Sequence, residues 1–227
     1  PDVLVVRHKE SGAARFLSQR LEHTSVVNAG DGMHEHPTQA LLDCVTLHQR
    51  FPQGIENLRV AIVGDVRHSR VVRSNVYAHM LLGNEVRLVG PTTLVPQELA
   101  HEKCFGRFGS RVKLCHRLEE GIEGADVVMV LRMQLERQDA HFVPSLQEYT
   151  DAYCITEKRL ATYAPSAVVL HPGPMNRGIE ISSEVADGPR SLVETQVNNG
   201  VAVRMGVLFS LGTSASDASA EGVAVRE

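Results

Sequence analysis

Short apolar runs in this chain alternate with stretches of helical spacing, and that alternation limits the fold more than any other feature. Asp2 to Val6, Ser25 to Ala29, Leu58 to Val63, Glu85 to Val89, Val112 to Cys115, Asp126 to Leu131 and Ala167 to Leu170 read as strands. Between them, Ser11 to Leu21, Pro37 to about Phe51, Ser69 to Leu82, Pro96 to Phe105, Ser145 to Tyr149 and Thr156 to Tyr163 read as helices, and Glu119 to Ile122 as at most one turn. Such an order predicts a mainly parallel sheet covered by helices, an α/β fold. Pro52-Gln53-Gly54 ends one helix and sets the expected boundary between a first domain, 1–51, and a second, 52–188. Pro189 to Leu211 reads as a long helix with Leu192, Val193, Val197, Val201, Leu208 and Leu211 apolar, packing back on the first domain. The Ser/Ala/Gly-rich stretch 212–227 is expected to be a flexible tail.

One stretch concentrates polar chemistry. Gly30-Asp31-Gly32 breaks the second strand, and Pro37 opens a helix with His36 as its N-cap and Gln39 in its first turn. Proline suits that position because its missing N–H has no intrahelical acceptor there. The remaining N–H groups and the helix dipole favour an anion. An imidazole, an amide and partial positive charge therefore meet at one point, suited to a small anion with a carbonyl to polarise. For an isolated His-Pro, simple capping is the better reading. His34-x-His36 lacks third and fourth ligands at a zinc-like spacing, so no metal is expected.

Ligands of open α/β sheets sit beyond the carboxyl ends of the strands. Arg7, the Gly30 to Gln39 stretch, Arg70, Arg132 and Gly173-Pro174 all follow strand ends, and so they point to one crevice. Each arginine alone is better explained by a nearby acid such as Asp65 or Glu136, but three together suit carboxylates or phosphates. There is no nucleophile elbow, no Cys–His signature, no Gly-x-Gly-x-x-Gly and no Walker loop. The site reads as one that holds two anionic substrates and lets them react directly. A net charge of -4 and pI of about 6.3 argue against nucleic acid. No run is apolar enough for a membrane span. Cys44, Cys104, Cys115 and Cys154 are scattered and read as reduced thiols of a cytosolic protein.

The ordered set of motifs resembles the aspartate carbamoyltransferases. It comprises Arg7-His8, Gly-Asp-Gly-x-x-x-His-Pro-Thr-Gln-x-Leu-Leu-Asp from Gly30 to Asp43, and Val63-Gly64-Asp65 with Ser69-Arg70. Leu131-Arg132-Met133-Gln134 and His171-Pro172-Gly173-Pro174 complete it. Ornithine carbamoyltransferases share His-Pro-x-Gln but carry His-Cys-Leu-Pro in the late position. The resemblance implies two three-layer, parallel-sheet domains joined by the 37–51 helix and the return helix 189–211. The first would bind carbamoyl phosphate and the second aspartate. It implies that Arg7, His36, Gln39, Gly173 and Pro174 bind carbamoyl phosphate, with Arg7 and His36 catalytic at its carbonyl oxygen. Arg70 and Arg132 would hold the aspartate carboxylates, Gln134 would lie near its amine, and Arg137 would support the site. No cofactor or metal is implied. The product would be N-carbamoyl-L-aspartate, for pyrimidine synthesis, made by a homotrimer that can take a regulatory or dihydroorotase partner.

The family's early Ser-x-Arg-Thr-Arg-type phosphate motif and its mobile lysine loop have no counterpart in this sequence. Val3 to Val6 also reads as a buried-type strand that starts without a cap. The expectation is therefore a chain lacking the N-terminal part of the carbamoyl-phosphate domain, with little activity alone. Two alternatives stay open: a non-catalytic homologue acting as a structural or partner-binding subunit, and an amino-acid-binding module built on Arg70 and Arg132.

Overall fold

The computed structural model describes residues 1–100, 111–134 and 142–223, with backbone alone beyond residue 212. Val3–His8 (β1) and Ser25–Asp31 (β2) pair in parallel, with Ala13–Ser18 (α1) crossing between them. Pro37–Arg50 (α2) then leads to a five-stranded sheet. Its strands are Arg59–Val63 (β3), Glu85–Val89 (β4), Val112–Cys115 (β5), Val127–Val130 (β6) and Val168–Leu170 (β7). Every neighbouring pair is parallel, in the order β5-β4-β3-β6-β7. Arg70–Leu81 (α3) links β3 to β4, and Leu118–Ile122 (α4) links β5 to β6. Leu146–Tyr153 (α5) and Glu157–Tyr163 (α6) lie between β6 and β7. Ser183–Ala186 (α7) and Val193–Val223 (α8) complete the chain.

The sheet buries both faces because successive strand residues point to opposite sides. Val60 and Ile62 face a core formed with Val72, Val76 and Met80 of α3 and Leu47 of α2. Ala61 and Val63 face the other core, with Leu118, Ile122 and Leu160. Helices cover both faces at the centre of the sheet, so a continuous apolar run such as Val127–Val130 is buried throughout. The chain winds outward from β3 to β5 and then returns to β6 beside β3. Order reverses there, and the loops after β3 and β6 meet at the carboxyl edge of the sheet, where the Gln134 N–H donates to Asp65.

The run Val3 to Val6 is a buried-type strand left partly uncovered, as the expected lack of the N-terminal part of its domain implies: Val5 is 55% exposed, and β1 pairs with β2 alone among the described residues. Several other expectations need correction. On α2, Leu42 is buried while Leu41 and Val45, expected to share its face, are exposed. The covered side of α2 is instead largely polar, with Gln39, Asp43 and Thr46. Likewise Val197 and Val201 of α8 are exposed, and Gln196, Asn199 and Gly200 face α2. Asn199 donates to Thr46 Oγ1 at 3.0 Å and to Gln49 Oε1 at 2.9 Å. The helix starts at Val193 rather than 189, and its backbone continues to Val223 through the first part of the tail expected from 212. Gln97–Ala100 is a 3-10 turn, and the rest of the helix expected to Phe105 lies outside the described residues. The short α7 had no sequence signal beyond Ser182, whose hydroxyl accepts from Val185 N.

Candidate active site

The turn between β2 and α2 is organised by Asp31. Its carboxylate accepts from the backbone N–H of Gly12 at 2.7 Å and of Glu35 at 2.9 Å, and from Asn28 Nδ2 at 3.1 Å. It also meets His34 Nδ1 at 3.2 Å. Burial alone would raise this carboxyl, but the bonds from Asn28, Gly12, His34 and Glu35 outweigh it and hold the group below its usual value. His34 is thus tied back into the turn. Among the described residues, no group of three or more His, Cys, Asp or Glu side chains could hold a metal.

His36, the N-cap of α2, makes no side-chain cap bond. Its backbone N–H donates to Ser74 Oγ at 2.9 Å on α3. Its Nδ1 is buried without a hydrogen-bond partner among the described residues. Burial, then the charges of Arg70, Arg204 and Arg7, hold its pKa down to about 4. Near neutral pH the ring is therefore uncharged and keeps one N–H to donate.

These groups open onto a cavity of about 350 Å³. Arg7 reaches it from the end of β1, and His36 and Gln39 from the first turn of α2. Ser69 and Arg70 enter at the start of α3, where Ser69 Oγ caps the helix by accepting from Val71 N. Arg132 and Gln134 follow β6, and Pro172, Gly173 and Pro174 follow β7. The Gly173–Pro174 peptide is cis. All the residues singled out for substrate binding line this one space. Arg137 and Glu136 lie outside the described residues.

The sequence reading missed Arg204, a fourth arginine on the wall. It stands on α8, outside any recognisable motif, and only the packing of α8 on α2 brings it to the cavity. Two buried acids, Asp65 and Glu180, support the loops of the site. Asp65 accepts from His68 Nδ1 at 2.8 Å and from the Gln134 N–H at 3.3 Å. The buried Glu180 accepts from the backbone N–H of Asn176 and, at 3.5 Å, of Met133, and lies 3.4 Å from His171 Nε2. The loops that carry Gln134 and Gly173-Pro174 are therefore pinned from beneath by buried carboxylates.

Residues 1–49 match the family model described as aspartate/ornithine carbamoyltransferase, carbamoyl-P binding domain, and residues 56–211 match the Asp/Orn binding domain. An aspartate carbamoyltransferase catalytic subunit from Nitratidesulfovibrio vulgaris is 52% identical over 213 residues, covering 94% of this chain and 63% of that protein. Its counterpart from Syntrophotalea carbinolica is 53% identical over 209 residues, covering 92% and 64%. The chain thus spans a little under two thirds of the length of these relatives. Among solved structures, Trypanosoma cruzi aspartate transcarbamoylase in complex with N-(phosphonacetyl)-L-aspartic acid matches with a TM-score of 0.78 at 29% identity, covering 92% of this chain and 65% of that one. Ornithine carbamoyltransferase from Gloeobacter violaceus matches with a TM-score of 0.75 at 25% identity, covering 92% and 70%. With the motifs, the two parallel sheets and both halves of the chain matched in order, this chain belongs to the aspartate/ornithine carbamoyltransferase family.

Proposed function

We propose that this chain binds carbamoyl phosphate and L-aspartate and serves transfer of the carbamoyl group between them, giving N-carbamoyl-L-aspartate and phosphate. The observation that carries the reading is convergence: Arg7, His36 and Gln39 from one sheet unit share a cavity with Arg70, Arg132 and Gln134 from the other. Arg70 and Arg132 suit the two carboxylates of aspartate, since guanidinium grips a carboxylate bidentately. They do not suit the side-chain ammonium of ornithine. The names of the most similar relatives support the same choice.

In this reading the neutral amine of aspartate attacks the carbamoyl carbon, and a C–N bond forms. Charge collects on the carbonyl oxygen, where Arg7 and the uncharged His36 donate hydrogen bonds. One such donor is worth ~2.7–4 kcal/mol of barrier. The bond from carbon to the phosphate oxygen then breaks, and the departing phosphate takes the amine proton. Further rate comes from holding two anions in register.

Isothermal titration of two variants tests the assignment. Arg132→Ala should weaken succinate, an unreactive aspartate analogue, by about tenfold or more, in line with loss of a charge-assisted bond. It should leave phosphonoacetamide, an unreactive carbamoyl phosphate analogue, nearly unchanged. Arg7→Ala should do the reverse. Equal losses for both ligands in both variants would overturn the assignment.

A further inference from the structure

The covered side of α2 is polar where a helix between two sheet units has most to gain from being apolar. Asp43 lies at its centre, fully buried. Three side-chain amides donate to it. Gln39 Nε2 at 2.9 Å and Gln196 Nε2 at 2.7 Å reach Oδ1, and Asn75 Nδ2 at 2.9 Å reaches Oδ2. The donors stand on α2, α8 and α3. Gln196 carries the link onward, since its Oε1 accepts from the His171 N–H at 2.9 Å, just before the Pro172–Pro174 wall of the cavity.

A buried carboxylate is costly unless its oxygens are satisfied, and here they are. Burial raises the carboxyl, while Gln196, Asn75, Gln39 and Arg204 pull it back, and three amide N–H groups aimed at its two oxygens are the donor set that an ionised carboxylate takes. An ionised carboxylate only accepts. That property decides how a neighbouring primary amide is turned. The Gln39 NH2 must face Asp43, which leaves Gln39 Oε1 for the cavity that the residue lines. An acceptor in that place favours a ligand with N–H groups to offer. A bare phosphate has none to match it.

We infer that Asp43 is a positioning residue: by accepting from the Gln39 amide it holds that amide with its oxygen toward the cavity, and so selects a ligand bearing a carboxamide over a bare phosphate. The inference rests on the functional reading above and names the device by which this wall recognises the carbamoyl end. Asp43 touches no substrate and acts only through Gln39.

The test is a double-mutant cycle read as a ratio. Dissociation constants for phosphonoacetamide and for inorganic phosphate are measured by calorimetry in wild type, Asp43→Ala, Gln39→Ala and the double variant. Asp43→Ala should weaken phosphonoacetamide by about tenfold, the loss of one oriented hydrogen bond, and phosphate by less than about twofold. In the Gln39→Ala background the Asp43 change should not alter the ratio further. Circular dichroism confirms folding, and Asp43→Ser, which is too short to reach Gln39, is read the same way if the alanine variant does not fold. Equal weakening of both ligands, or an additive effect in the double variant, overturns the inference and leaves the functional reading standing. A wild type that binds phosphate as tightly as phosphonoacetamide also overturns it. A wild type that binds neither overturns the functional reading itself.

Discussion

Gly30 is glycine because Arg70 crosses the space where a side chain would stand. Its φ is 113°, and a Cβ placed there would lie 2.8 Å from Arg70 Nε. Gly30→Ala therefore strains the backbone by ~1–2 kcal/mol and displaces the guanidinium. The expected outcome is a weakened succinate affinity with only that modest loss in urea stability; an unchanged affinity would show that the path of Arg70 over Gly30 is unimportant. His79 acts through protonation. It is buried, accepts from Asn84 at Nδ1, and has its pKa lowered from 6.5 to about 4 by burial. The folded state thus binds fewer protons than the unfolded one between these values. The stability His79 gives is present above about 6.5 and is lost as pH falls toward about 4. His36 has the same sign. Asp43, raised from 3.8 to about 6, has the opposite one: its contribution is present at low pH and lost as pH rises through 6. Urea melts of His79→Gln should therefore show a shallower fall in stability between pH 6.5 and pH 4 than wild type. An unchanged slope would mean that another group carries the acid sensitivity.

At the scale of elements, legibility depended on where the partners of a residue stand. Strands bounded by local breakers were readable. Glu85–Val89 and Val112–Cys115 match the expected limits residue for residue, because Gly90-Pro91 and the flanking polar residues mark their ends. The start of α2 was readable from Pro37, and with it His36 and Gln39. The faces of α2 and α8 were not. Apolar spacing puts Val197 and Val201 of α8 inside, yet both are more than half exposed, and Leu41 and Val45 of α2 are exposed as well. Gln196 and Asn199 take the inner face because their bonding partners, Asp43, Thr46 and Gln49, lie on a distant segment that periodicity cannot see. Arg204 was missed for the same reason. This orientation of α8 is open to test by paired substitutions. Asn199→Ala should cost ~1–2 kcal/mol in a chemical melt, because it removes the bond that the buried Thr46 Oγ1 accepts and the pair of bonds shared with Gln49. Val201→Ala should stay within about 0.5 kcal/mol, as a surface change. The reverse order would show that α8 presents its apolar side inward.

On the scale of the molecule, two sheet units meet along α2 and α8, and the cavity lies at the seam. Every catalytic or binding role proposed above belongs to a strand end or helix start, where short segments project from rigid elements. The links that close the seam join residues far apart in the chain: Gln196 and Asp43 are 153 positions apart, as are Asn199 and Thr46. That separation has a consequence for how the protein is made. A ribosome adds about 5–20 residues per second, so Asp43 waits roughly 8–30 s for Gln196 to be synthesised. During that time the carboxylate has Gln39 and Asn75 within reach but not its third amide, and the Pro172–Pro174 wall has no tether to α2. The β3-to-β7 sheet can fold while still attached to the ribosome, because its crossovers are local. The cavity cannot acquire its final shape until α8 has left the exit tunnel, so ligand recognition arises after the sheet that carries it.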